Sequence, residues 1–214
     1  MMSIGSNLKS LNSSIPKNIT LVAVSKTKPN SDILSAYNAG QRIFGENRVQ
    51  ELEIKQKELP ADIQWHMIGH LQTNKVKHIA PFVSLIHAVD SLRLLQEINK
   101  RAKQNNRTID CLLQVHIAKE NTKSGFKIEE IKTVLETSNA FKNITIKGLM
   151  AMATFTNDIK QINTEFMKVN KLFTEIKTKK INTLSIGMSG DYELAIKNGS
   201  NMIRLGSAIF GKRN

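Results

Sequence analysis

The stretch Leu21-Val22-Ala23-Val24-Ser25-Lys26-Thr27-Lys28-Pro29 decides how the rest of the chain is read. Four consecutive apolar residues make a buried strand, and the polar residues that follow make its loop. A lysine stands where the two meet. Its amine lies at the rim of a low-dielectric core, where desolvation lowers the pKa and makes it nucleophilic at neutral pH. Imine formation with an aldehyde needs such an amine. A strand-end lysine with its head in water is the ordinary alternative, so the remaining sequence has to decide.

Outward from this run the same unit recurs. Short apolar runs at 20–25, 42–45, 63–68, 83–88, 109–117, 144–150, 183–186 and 201–205 alternate with longer segments of helical period. Ile159, Ile162, Phe166, Val169, Phe173 and Ile176 are spaced three and four apart and define the clearest helix. Leu92, Leu95, Ile98 and Ala102 mark another, and Ile128, Ile131, Val134 and Leu135 a third. Gly40 and Gly199 suit left-handed C-caps. Eight strands each followed by a helix are the count of an α/β (β/α)8 TIM barrel. A doubly wound open sheet is the alternative, and the eightfold count argues against it. Residues 4–11 are expected to form an extra N-terminal helix. No Pro/Gly/Ser-rich linker divides the chain, so residues 1–214 read as a single domain with nothing left for a second.

Composition narrows the function classes. No apolar run reaches membrane-spanning length, and the N-terminus lacks a signal layout. Cys111 is the single cysteine, so a reducing cytoplasm is the expected compartment and a buried, inert thiol the expected state. The net charge of +13 invites a nucleic-acid reading. Its clusters, Lys75–Lys77–His78, Lys100–Arg101–Lys103 and Lys177–Lys179–Lys180, are scattered and lack interleaved aromatics, so solvated helix faces explain them better. His66 and His70 are four apart, but the spacing encloses Gly69 and lacks a zincin glutamate; no metal is expected.

In a barrel the site forms at the C-terminal ends of the strands. Strand one ends at Lys26 and strand two runs into Glu46–Asn47. Strand three carries His66, strand four His87 and strand five His116. Gly187-Met188-Ser189-Gly190-Asp191 turns from strand seven into a helix, and Gly206–Ser207 offers a second pair of N–H donors after strand eight. Strands seven and eight are where barrels commonly hold a phosphate. Closure makes strand eight the neighbour of strand one, so Arg204 and Lys26 should share one cavity. A phosphate cradle, an imine-forming lysine and a fixed guanidinium converge on pyridoxal 5′-phosphate as the expected cofactor.

These residues also resemble a known family. A-V-S-K-T-K-P (23–29), F-G-E-N (44–47), W-H-M-I-G-H-L-Q-T-N-K (65–75), H-A-V-D-S (87–91), G-L-M (148–150), G-M-S-G-D-Y-E-L-A-I (187–196) and M-I-R-L-G-S-A-I-F-G (202–211) are similar, in matching order, to motifs of the pyridoxal phosphate homeostasis proteins. The resemblance implies a barrel like the N-terminal domain of alanine racemase, with Lys26 as the Schiff-base lysine. It puts Asn47 near the cofactor ring, Arg204 toward the pyridine nitrogen, and Ser189, Gly206 and Ser207 on the phosphate. Arg48 stands where an aromatic is common in the family, and His116 where an asparagine is usual.

An arginine facing the ring nitrogen disfavours its protonation and weakens carbanion stabilisation. Racemases of this kind use a second base, which the resemblance assigns to a tyrosine of another domain in the partner subunit. This chain, whose tyrosines Tyr37 and Tyr192 fall in expected helices, is not expected to supply it. The sequence therefore reads as a monomeric carrier for intracellular pyridoxal phosphate homeostasis, without robust turnover and with dependent apo-enzymes as recipients. A low-activity amino-acid racemase or lyase is the alternative.

Overall fold

A computed structural model describes residues 3–120 and 124–211; Met1, Met2, residues 121–123 and the terminal 212–214, all counted in the single domain above, lie outside them. Eight parallel strands close into a barrel in sequence order, β1 pairing with both β2 and β8. They are β1 (Thr20–Val24), β2 (Ile43–Glu46), β3 (Gln64–Met67), β4 (Leu85–Val89), β5 (Ile109–Val115), β6 (Ile144–Ala151), β7 (Thr183–Ser185) and β8 (Met202–Leu205). The α-helices among the described residues are α1 (Ile4–Ser14), α2 (Asn30–Asn38), α3 (Val49–Glu58), α4 (Val76–Ile79), α5 (Leu92–Gln104), α6 (Ile131–Ser138), α7 (Ile159–Ile176), α8 (Tyr192–Lys197) and α9 (Ser207–Phe210), with short 3-10 turns at Thr73–Lys75 and Ile128–Glu130 before α4 and α6. The expected TIM barrel, with a helix before the first strand, is the observed fold.

Strand alternation sorts the core into two layers. Leu21 and Ala23 belong to the large cluster between barrel and helices, whereas Val22 joins Leu85, Leu112, Met150 and Met202 inside the barrel. Residues paired across parallel strands share a face, which fixes what points inward. Val22 is in register with Arg204, and Ser185 with Met150 and Met202. Val24, Gly45 and His66 form another inward row.

Helix α7 shows why these segments fold as they do. Asp158 caps it by accepting from Lys160 N and Gln161 N, and Ile162, Phe166, Val169, Phe173 and Ile176 are buried as the spacing predicts. Ile159 is the exception at 68% exposed, because it stands in the first turn, beyond the packed stripe. Gly40 and Gly199 take positive φ just past α2 and α8. Cys111 is buried, which pushes its thiol pKa up. Lys77, Lys100, Lys103, Lys177, Lys179 and Lys180 are exposed. Among the described residues no helix is long and apolar enough to cross a membrane.

Candidate functional site

The C-terminal end of β1 is the first wall of the site. Val24 lies on the inward row, and a Cβ added at Gly206, just after β8, would stand 3.5 Å from the Val24 Cβ. The loop after β8 therefore touches the strand whose end carries Lys26, two residues on. Lys26 is half-buried, and Ser25 before it is fully buried on the outer face.

The two glycine loops converge as the sequence predicts. Gly187 has φ +99°, and a Cβ there would meet the Ala195 Cβ at 2.6 Å, so only glycine lets the chain turn tightly from β7 to α8. Asp191 locks this loop by accepting from Met188 N at 2.6 Å. Burial raises the Asp191 pKa, opposed by its own backbone contacts and by Arg204. The Ser189 hydroxyl oxygen then reaches the next loop, accepting from Gly206 N at 3.2 Å and Ala208 N at 3.4 Å. Backbone donors at the start of α9 are thus aimed at one oxygen position, the geometry an anion's oxygen requires.

Arg204 lies inside the barrel on the row of Val22, 4% exposed, and reaches along the neighbouring strands β7 and β6. Its Nη1 donates to Ser185 O at 2.7 Å and Ser185 Oγ at 2.6 Å, and its Nη2 to Ala151 O at 3.0 Å. Burial lowers its pKa to about 10, which leaves it cationic at neutral pH. Behind Ser185 a line of imidazoles continues. Ser185 Oγ is 3.2 Å from His87 Nδ1, and His87 Nε2 is 3.0 Å from His66 Nδ1. Because Ser185 Oγ accepts from Arg204, its proton is available to His87 Nδ1. His87 then donates from Nε2 to His66. Burial holds both imidazoles neutral, His66 at a pKa of about 3 and His87 well below the usual histidine value.

Asn47 follows β2, and Gly69 determines where it can stand: a Cβ at Gly69 would lie 2.4 Å from Asn47 O. The expected site residues thus come from the ends of β1, β2, β7 and β8. The histidines divide differently. His66 lies in the barrel interior, whereas His70 is exposed and 3.1 Å from Asp90, so the two share no metal geometry. Among the described residues no group of three His, Cys, Asp or Glu is placed to hold a metal. A surface cleft of about 350 Å³ between residues 73–75 and α5, lined by Thr73, Asn74, Arg93, Gln96, Glu97 and Lys100, contains none of the site residues.

Sequence reasoning did not assign Ser185 or Asp191 a role, nor see a second cluster on the outer face of β1. There Ser25 Oγ donates to Glu46 Oε1, which also accepts from Lys55 Nζ at 2.8 Å. Lys55, on α3, is only 5% exposed. Burial raises the Glu46 pKa, and the charge of Lys55 opposes the rise.

The profile of the alanine racemase N-terminal domain family matches residues 2–214. The chain belongs to this family. Its relatives include a pyridoxal phosphate homeostasis protein of Escherichia coli strain K12, 38% identical over 205 residues that cover 93% of this chain and 88% of that protein. One from Haemophilus influenzae is 39% identical over 203 residues, covering 92% and 86%. Among solved structures, PipY of Synechococcus elongatus PCC7942 with pyridoxal phosphate bound is 35% identical and superposes with a TM-score of 0.90, covering 98% of this chain and all of PipY. An alanine racemase from Bartonella henselae, 16% identical with a TM-score of 0.76, shares the fold.

Proposed function

We propose that this chain binds pyridoxal 5′-phosphate and serves its homeostasis, holding the cofactor covalently on Lys26. The observation that supports this reading is the contact between Gly206, in the loop after β8, and Val24, two residues before Lys26. The donor set fits the group. Ser189, Gly206 and Ser207 would hold the phosphate, Asn47 would stand beside the ring, and Arg204 would face the ring nitrogen. The names of the relatives, and the cofactor bound to PipY, support the assignment.

When bound, the cofactor supplies a reactive aldehyde conjugated to an electron-withdrawing ring. The chain's own residues suit storage better than turnover. Arg204 stays cationic, and a fixed positive charge at the ring nitrogen discourages its protonation. Tyr37 and Tyr192 direct their hydroxyls to Asp62 and Glu193, so neither is placed as a base poised over a substrate. The relatives are named as homeostasis proteins, not as enzymes. The chain would act in the cytoplasm and yield its cofactor to dependent apo-enzymes by exchange with another amine.

Borohydride reduction followed by peptide mapping tests the reading. The protein should purify yellow and, once reduced, carry a pyridoxyl group on Lys26 and not on Lys28 or Lys75. Lys26→Ala should abolish the adduct while weaker phosphate-dependent binding survives. An adduct confined to another lysine defeats the site assignment. Rapid appearance of D-alanine from L-alanine in deuterated water would replace the carrier with a racemase.

A further inference from the structure

The turn that carries Lys26 adopts a conformation its sequence does not favour. Lys28 N donates to Ser25 O at 3.0 Å, closing a four-residue turn with Lys26 and Thr27 at its centre. Thr27 has φ 64°. Glycine or asparagine ordinarily supplies a positive φ at the second central position of a turn. In a β-branched residue it is a strained state that persists only where the surroundings over-determine it.

The surroundings do so here. Glu51 Oε1, from the first turn of α3, accepts Thr27 N–H at 2.6 Å. The same oxygen accepts from Lys55 Nζ at 2.6 Å. Lys55 directs its other two donors to Ser25 O and Glu46 Oε1, both at 2.8 Å, so all three ammonium protons are committed. Lys28 Nζ reaches Phe210 O at 3.1 Å, tying the far end of the turn to α9. The Thr27 N–H is exposed, and water would satisfy it at little cost. What Glu51 adds is direction.

We propose that Glu51, clamped by Lys55, is a positioning residue for Lys26: it holds Thr27 in the left-handed conformation and so fixes how Lys26 leaves the strand toward the cradle. This rests on the reading of Lys26 as the residue that captures the aldehyde.

The test uses Glu51→Ala, Glu51→Gln, Thr27→Gly and the Glu51→Ala/Thr27→Gly double variant. Capture of pyridoxal phosphate is followed by absorbance, and hydrogen exchange at residues 26–28 is measured in the unloaded protein. Glu51→Ala should slow capture at Lys26 about tenfold, equivalent to about 1.4 kcal/mol, and speed exchange at Thr27. Glu51→Gln keeps an acceptor oxygen and should restore both. In the Thr27→Gly background glycine holds positive φ unaided, so removing Glu51 should change capture by about threefold or less. A Glu51→Ala protein that loses thermal stability yet captures at the wild-type rate overturns the inference. So does an equal loss in the Thr27→Gly background. If the wild-type chain captures nothing on Lys26, the proposed function fails instead, and unchanged exchange at Thr27 in Glu51→Ala still refutes the positioning.

Discussion

Two polar clusters lie on opposite sides of the same barrel wall and are held by opposite means. On the outer side, Glu46, Glu51 and Lys55 are ionic partners gathered around Ser25. On the inner side, Ser185, His87 and His66 line up behind Arg204, whose guanidinium is met by the Ser185 hydroxyl and two carbonyl oxygens. Outside, burial is tolerated because opposite charges touch. Inside, it is tolerated because the imidazoles stay neutral. The outer cluster is therefore vulnerable to losing a charge, and the inner line to gaining a proton.

The largest expected effect breaks the outer cluster. Lys55→Met leaves Glu46, whose carboxylate is fully buried, without its counter-charge. Breaking a buried pair in this way costs about 3–5 kcal/mol. Removing both partners with Lys55→Met/Glu46→Leu should recover much of that loss, since no buried charge is left unpaired. Urea denaturation at pH 7 measures both. A loss below about 1 kcal/mol for the single variant would show that Glu46 does not depend on Lys55.

Arg204→Met makes the matching change inside. It leaves two carbonyl oxygens without their donor but strands no buried carboxylate in contact with the lost cation. The expected cost is about 1–3 kcal/mol, clearly smaller than that of Lys55→Met. If the two variants lose equal stability in the same urea series, the contrast between the clusters is wrong.

The frame of the site was legible in the sequence because short-range signals set it. Alternating apolar runs mark the eight strands, and the glycine loops after β7 and β8 sit where the chain must turn. Several runs extend past the true strand ends, as at Ser25, Ile68 and His116, because buried or partly buried residues with paired backbone N–H groups continue beyond the last ladder pairing. The supporting clusters were not legible. Lys55 lies in the polar segment Glu53-Ile54-Lys55-Gln56-Lys57 and reads as a solvated helix residue. Its acceptors lie 30, 9 and 4 residues away. Ser185 and His87 are 98 residues apart. Thr27 carries no turn signal at all, since its conformation comes from tertiary contacts and not from residue preference.

The smallest expected effect tests the inner line by pH. His66 and His87 titrate in the folded state well below their unfolded value of 6.5. As pH falls through that value the unfolded chain takes up protons that the folded chain refuses, so stability must fall with it. Between pH 6.5 and 5.5 each neutral buried histidine should remove about 1 kcal/mol, or about 2 kcal/mol for the pair. Glu46 acts in the other direction. Its pKa is raised from 4.5, so the folded chain binds the extra proton there and gains stability as pH falls. That contribution is common to wild type and to His66→Gln and drops out of their difference. His66→Gln removes one titrating imidazole and should halve the histidine-dependent loss over this interval, by about 1 kcal/mol. Paired urea titrations at the two pH values measure it. Identical pH dependence in the two proteins would mean that His66 titrates in the fold as it does in the unfolded chain, and the neutral relay behind Arg204 would have to be abandoned.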